Sequence, residues 1–347
     1  MSDIIRSRSL VFTGPRAVQI QTREVAAPGP EEVVVQSLVS AISGGSELLV
    51  YRSEIPEGMA VDETIGALQG KFAYPLRYGY AVVGRVVARG AEVDEIWQNR
   101  LVFAFHPHES QFVTRPEFLL PVPEGIGDEA AAFLPNMETA VSFVMDGRPV
   151  IGERAVVFGQ GIVGLLTTAL LTSLPLATLV TVDGHPLRRD WSQRLGAGMV
   201  FEVGLPDLRE RITHTLATVG QEESGADLVY ELSGNPEALQ QAIEVAGFGG
   251  RVVVGSWYGQ KPVTLDLGEQ FHRNHLRLMS SQVSHLAPRW HARWSKARRL
   301  AVAWKMVARH RPERLVTHRF PLGEAAAAYR LLDERPEEAL QVLLIYQ

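Results

Sequence analysis

The chain has 347 residues, 46% of them hydrophobic, a formal charge of -5 and no cysteine. That length exceeds the size at which a single core stops growing, so two domains are expected. The acidic balance argues against a nucleic-acid partner, whose phosphates need a cationic face, and the lack of thiols excludes disulfides, cysteine nucleophiles and thiolate-held zinc.

The opening "MSDIIRSRSLVFTGP" places Arg6 and Arg8 after a few apolar residues and builds no apolar leader, so a cytoplasmic protein is expected. Up to Pro135 the chain alternates short strand-like stretches, such as "EEVVVQSLVSA" (31–41) and "AVVGRVVARG" (81–90), with frequent Gly and Pro. This pattern fits an antiparallel, barrel-like domain.

An uncharged run from Ala155 to Val182 could be read as a membrane span. It is broken by Gly159, Gly161, Gly164 and Pro175, whereas a span needs about 20 apolar residues in one helix. Strand, turn, helix and strand divide it better: "RAVVFG", then a helix over Ile162–Ser173, then "ATLVTVD". The glycines fall as G-x-G-x-x-G, and Asp183 follows Gly164 by nineteen residues. In this context the triplet is a dinucleotide fingerprint. Two glycines admit the pyrophosphate, the third lets helix pack on strand, and the helix N-terminus, with Ile162 and Val163, faces the anion. Asp183 would accept hydrogen bonds from both ribose hydroxyls and repel a 2′-phosphate, which favours NAD; Arg188 and Arg189 close by leave NADP open.

Further on, "AGMVFEV" (197–203), "PDLRERITHTLATV" (206–219), "ADLVYELSG" (226–234), "PEALQQAIEVA" (236–246), "GRVVVGSW" (250–257) and "LRLMSSQ" (276–282) continue the alternation of β and α. They predict an α/β, doubly wound parallel sheet of Rossmann type. After residue 285 helical patterns return, and Trp290, Trp294, Ala297 and Ala301 are read as one buried stripe of a helix with a solvated cationic face.

Several motifs together resemble the medium-chain dehydrogenase/reductase superfamily: "YGYAVVGRVVARG" (family pattern G-H-E-x-x-G-x-V), "NRLVFAF", "ETA", "GQGIVG" and the ending "RLVTHRFPLGEAAAAYRLL". The resemblance implies a GroES-like β-barrel catalytic domain over 1–135, a Rossmann domain over 136–284 and a segment 285–347 returning to the catalytic domain, with substrate and nicotinamide in the cleft between them. It also implies cofactor contacts at Thr139, Ser233, Gly255, Ser256 and Ser281, besides the fingerprint, and a homodimer. Trp257 and Tyr258 would lie near the nicotinamide.

The family's zinc ligands are missing. Ser43 and Gly44 stand where the thiol of C-G-T-D belongs, Tyr80 and Ala81 replace the His and Glu of G-H-E, and Pro135 stands four residues before Thr139. The resemblance is therefore to a zinc-free member, and "SAISGGSELL" is locally similar to the bacteriochlorophyllide hydroxyethyl dehydrogenase branch. An alkoxide formed by hydride transfer then needs a side-chain donor. Ser46 and Glu47 match the proton-relaying hydroxyl and its neighbouring carboxylate, or else close a turn. Tyr80 could donate its phenol, aided by Arg77, or simply fill the vacated volume. "FHPHESQF" offers His106 and His108, one toward substrate and one toward solvent, while its spacing matches no metal signature. The leading expectation is a zinc-independent, NAD(H)-dependent oxidoreductase acting on a small alcohol or carbonyl compound, with no nucleic-acid or membrane partner. Alternatives are an NADPH-dependent enone or quinone reductase and a non-catalytic dinucleotide-binding redox sensor.

Overall fold

The computed structural model describes residues 4–56, 58–217 and 225–346. Two compact units emerge, one of residues 1–135 and 304–347, the other of residues 136–303.

In the first unit the strand Val33–Ala41 is the organiser. It is buried along most of its length and has three antiparallel neighbours: Val82–Arg89, Gln111–Thr114 at its beginning and Gln341–Ile345 at its end. The sheet runs Val316–Pro321, Gln341–Ile345, Val33–Ala41, Val82–Arg89, Leu101–Ala104, Leu119–Pro121, seven strands when Gln111–Thr114 is included. A β-branched strand bonded on both edges explains the near-continuous apolar run "VVVQSLVSA". A hairpin of Ile5–Gly14 and Ala17–Val25, the short helix Ser46–Arg52 and the helix Ala325–Glu334 enclose a second core around Phe12, Tyr51, Tyr78 and Tyr329.

In the second unit six parallel strands run in the order Met199–Glu202, Thr178–Asp183, Arg154–Phe158, Ala226–Glu231, Ala246–Val254, Arg277–Ser280. Strand order reverses between Arg154–Phe158 and Ala226–Glu231, which makes the carboxyl ends of these two strands the topological switch point. The fold class is the expected α/β one. Boundaries moved by a few residues: the helix over 162–173 is observed as Ile162–Leu171, and the strand at 250–257 starts earlier, as Ala246–Val254. The helix expected over 206–219 is observed as Leu208–Leu216; residues 218 and 219, like residues 1–3 of the opening segment, lie outside the described residues.

The tryptophan stripe needs correction. The helix is Lys296–His310, so Trp290 and Trp294 precede it, and Ala297 and Ala301 are exposed. Its buried positions are Arg299, Leu300, Ala303, Trp304 and Val307. The aromatics carry arginines instead of a core: Arg293 lies over the Trp290 ring and Arg298 over Trp294.

Candidate functional sites of the two units

The glycine turn sits at the switch point. Gly159 has φ +88°, and a Cβ there would meet Ser233 Cα at 2.5 Å, so only glycine fits. At Gly164 a Cβ would meet the Gly159 carbonyl oxygen at 2.0 Å, which is the close helix-to-strand approach the third glycine allows. Nothing lies within 4 Å of a Cβ at Gly161, the second glycine, which leaves open space where the pyrophosphate belongs. The helix Ile162–Leu171 starts there with Ile162 and Val163 part-exposed.

Asp183 ends the neighbouring strand and is 6% exposed. One carboxylate oxygen accepts the Gln160 backbone N–H at 2.7 Å and the other accepts His185 N–H at 2.8 Å. The acid is thereby fixed beside the turn, and each oxygen keeps a lone pair for a ribose hydroxyl. The two nearby arginines differ. Arg189 donates to the carbonyls of Asp183 and Gly184 at 3.1 and 2.8 Å and pairs with Glu202, so it is committed to its own loop. Arg188 lies 3.9 Å from the Asp183 carboxylate.

The other expected cofactor contacts lie in the same unit. Ser233 and Ser256 follow the strands on the far side of the switch point, and Ser256 Oγ accepts Gly234 N–H at 2.8 Å. A Cβ at Gly255 would meet Phe143 at 2.4 Å, so this glycine serves packing as well. Ser281 is turned inward, donating to Asp146 at 2.6 Å; Asp146 also accepts the Trp290 indole N–H. Thr139 is part-buried on the helix Leu134–Gly147.

In the first unit the loop before the helix Ser46–Arg52 closes on itself. Glu47 N–H donates to the Ser43 carbonyl at 3.0 Å, and Ser43 N–H donates back to the Glu47 carboxylate at 2.8 Å. This is a capping arrangement between the loop and the first helical turn. The Tyr80 phenol donates to Ser43 Oγ at 2.6 Å and lies 3.3 Å from Ser46 Oγ, so three hydroxyls converge. Burial pushes the phenol's pKa above its ordinary value, with the two serine hydroxyls opposing, so it is a proton donor at neutral pH.

The Glu47 carboxylate hydrogen-bonds neither Tyr80 nor Ser46. It is fully buried and accepts the Tyr329 phenol and, at 2.9 Å, His108 Nε2. His108 Nδ1 is 2.6 Å from Ser40 Oγ, which lies 2.8 Å from the Tyr346 hydroxyl. With Glu47 accepting at Nε2, one pattern satisfies every proton: Tyr346 donates to Ser40, Ser40 to Nδ1, and Nε2–H to the carboxylate. The His108 ring fills the space that a side chain at Gly79 would take, 2.5 Å from that Cβ.

One imidazole is buried and the other only slightly exposed. His108 is fully buried, and His106, 15% exposed, stacks on Phe112 at 3.9 Å between ring centres, with burial lowering its pKa to about 4. Arg77 is drawn to Glu109, at 3.3 Å, where Arg23 also binds at 2.8 Å. Sequence reasoning missed Ser40, Tyr329 and Tyr346 because, even where a quoted motif contains them, their partners are distant: Ser40 meets His108 across 68 positions, Tyr329 meets Glu47 across 282 and Tyr346 meets Ser40 across 306.

Fold and turn define an α/β unit of the dinucleotide-binding type. Residues 163–303 match the family model described as "Zinc-binding dehydrogenase". The L-threonine 3-dehydrogenase of Bacillus licheniformis is 27% identical over 223 residues, 64% of this chain and 60% of its own length. The D-guloside 3-dehydrogenase of Escherichia coli K12 is 23% identical, with 96% of this chain and 99% of its own covered. Among solved structures, the NADH complex of an alcohol dehydrogenase from Escherichia coli CFT073 superposes with a TM-score of 0.79 at 18% identity, over 98% of this chain and 99% of its own, which shows a common fold.

Zinc, which the name of that family model implies, does not fit the residues around Tyr80. The converging groups there are the hydroxyls of Ser43, Ser46 and Tyr80, while Glu47 and His108 are committed to other partners. Among the described residues no three His, Cys, Asp or Glu converge as metal ligands. No helix among them is long and apolar enough to cross a membrane.

Proposed function

We propose that this protein is an NAD(H)-dependent oxidoreductase that interconverts an alcohol and a carbonyl compound without zinc. The observation that carries the reading is the glycine turn at the switch point, open at Gly161 and flanked by the fixed carboxylate of Asp183. Bound there, nicotinamide supplies a hydride acceptor or donor. Asp183 holds the ribose hydroxyls, and Gly161 with the helix N-terminus holds the pyrophosphate. A 2′-phosphate would bring negative charge against buried Asp183, with Arg189 already committed, so NAD is preferred over NADP.

In the first unit, Tyr80 with Ser43 and Ser46 stabilises the substrate oxygen. Tyr80 donates its hydrogen bond to Ser43, which leaves the two serine hydroxyls to donate onward, so the trio is a short hydroxyl relay. Glu47 orients that relay indirectly, by fixing the Ser43 backbone. The L-threonine 3-dehydrogenase and the D-guloside 3-dehydrogenase among the relatives support a small polar alcohol as the substrate class. A dimer and a cytoplasmic location belong to the same reading.

The test combines NADH and NADPH fluorescence titration, a panel of secondary alcohols and ketones, and elemental analysis. Turnover with NAD(H) and substoichiometric zinc is expected. Tyr80→Phe should melt like the parent, bind NADH normally and turn over roughly a hundredfold to a thousandfold more slowly, the worth of one preorganised donor. Near-parental turnover would reject the role of Tyr80, and stoichiometric zinc lost together with activity would reject the metal-free reading.

A further inference from the structure

Beside the glycine turn lies a buried carboxylate that this chemistry does not use. Glu231 ends the strand next to Arg154–Phe158 and is fully buried, yet among the described residues none of its side-chain hydrogen-bond partners is a Lys or Arg. One oxygen accepts both the backbone N–H and the hydroxyl of Ser233, at 2.8 and 2.5 Å; the other accepts the Tyr258 phenol. The backbone carbonyl of Glu231 accepts Gly255 N–H at 3.0 Å and the Ser256 hydroxyl at 3.4 Å. Ser256 Oγ accepts Gly234 N–H, and Lys261 Nζ donates to the Gly234 carbonyl at 3.2 Å. One residue therefore ties the loop 232–235 to the loop 255–261.

A buried carboxylate is costly unless donors compensate for lost water. Here three donors do, from two loops, and all three need an acceptor. A glutamine would present an NH₂ to one of them, so an acceptor-only side chain is required to hold both loops at once. The loop so held is the wall of the glycine turn: Leu232 N–H donates to the Phe158 carbonyl at 2.8 Å, and Ser233 is the residue against which Gly159 packs.

The sheet gives this knot its place. A dinucleotide lies across the switch point, one half on each side. Asp183 is on the Thr178–Asp183 side and takes the adenosine ribose; Glu231 is on the opposite side of Arg154–Phe158. We infer that Glu231, acting through Tyr258 and Ser233, is a positioning residue for the nicotinamide half of the bound dinucleotide. It sets the two loops on which that half rests and leaves the adenosine half alone. The inference depends on the proposed binding of NAD(H).

Tyr258→Phe tests it, because the substitution keeps the ring and removes the hydroxyl that binds Glu231. NADH and ADP-ribose, which lacks nicotinamide, are titrated against parent and variant, and melting is followed alongside. The NADH Kd should rise about tenfold, the lower range for a hydrogen bond to a charged group, while the ADP-ribose Kd stays within about twofold. Glu231→Gln should shift the same ratio in the same direction; should it not fold, Tyr258→Phe decides alone. Parallel weakening of both ligands, or no change in either, overturns the inference. The two proposals fail separately. A parent that binds neither NADH nor ADP-ribose defeats the dinucleotide reading, whereas a parent that binds both, with an unchanged ratio in Tyr258→Phe, defeats only the role of Glu231.

Discussion

Replacing Glu47 by alanine removes the acceptor on which the His108 chain ends. Two donors, His108 Nε2–H and the Tyr329 phenol, are fully buried and would lose their partner; Ser43 N–H is only part-buried and can turn to water. Each orphaned buried donor costs about 1 to 3 kcal/mol, so the substitution should cost on the order of 2 to 6 kcal/mol. That is a large share of the roughly 5 to 15 kcal/mol by which domains are stable. Tyr329→Phe takes away one donor and leaves the carboxylate two others, so its loss should be smaller. Glu47→Gln should fall between them, because the amide can donate to Nε2 while His108 shifts its proton to Nδ1 and donates to Ser40. Urea unfolding of the parent and the three variants gives the order directly. A Glu47→Ala protein within about 1 kcal/mol of the parent would refute both the donor pattern and the buried anion at its end.

Because burial lowers His106 from 6.5 to about 4, the unfolded chain binds more protons between those values, and stability should fall as pH drops. The loss between pH 7 and pH 5 works out at about 2 kcal/mol; His106→Phe, which keeps the stack on Phe112, should flatten that slope in urea unfolding. Asp183→Ala should weaken NADH by about tenfold and narrow its advantage over NADPH, read by fluorescence titration; the reverse preference in the parent would refute the assignment. Arg299 is fully buried on Glu138, at 2.9 Å, and donates also to Ser142, so Arg299→Met should cost about 3 to 5 kcal/mol at pH 7. Burial already raises the Glu138 pKa, and without its partner the carboxyl would rise further, so this variant should regain stability as pH falls and Glu138 is protonated.

The second unit was legible because its signals are local. A strand, a turn and a helix within thirty residues must satisfy one another, and the steric demand on Gly164 comes from the turn's own Gly159 carbonyl. The same locality misled at residues 290–301. Helical spacing of Trp290, Trp294, Ala297 and Ala301 is real in the sequence, yet the helix begins only at Lys296. An indole flanked by arginines can spend its face on a guanidinium as readily as on a core, and periodicity cannot tell the two apart.

The first unit hid its polar network for the opposite reason. Glu47, His108, Tyr329, Ser40 and Tyr346 come from five separate segments, and they meet because Val33–Ala41 pairs with Gln341–Ile345, a register that brings the C-terminal end of the chain to Ser40. Substituted motifs could say that Tyr80 and Ser43 stand where ligands belong elsewhere, but not which carboxylate they would meet. The structure separates the two: hydroxyls gather on Ser43 Oγ, while the anion is held one backbone bond away, through Ser43 N–H. That separation has a chemical consequence. A carboxylate in direct contact would take the Tyr80 proton's hydrogen bond for itself, whereas a carboxylate that grips only the backbone fixes the loop and leaves the Ser43 and Ser46 protons available to a substrate oxygen.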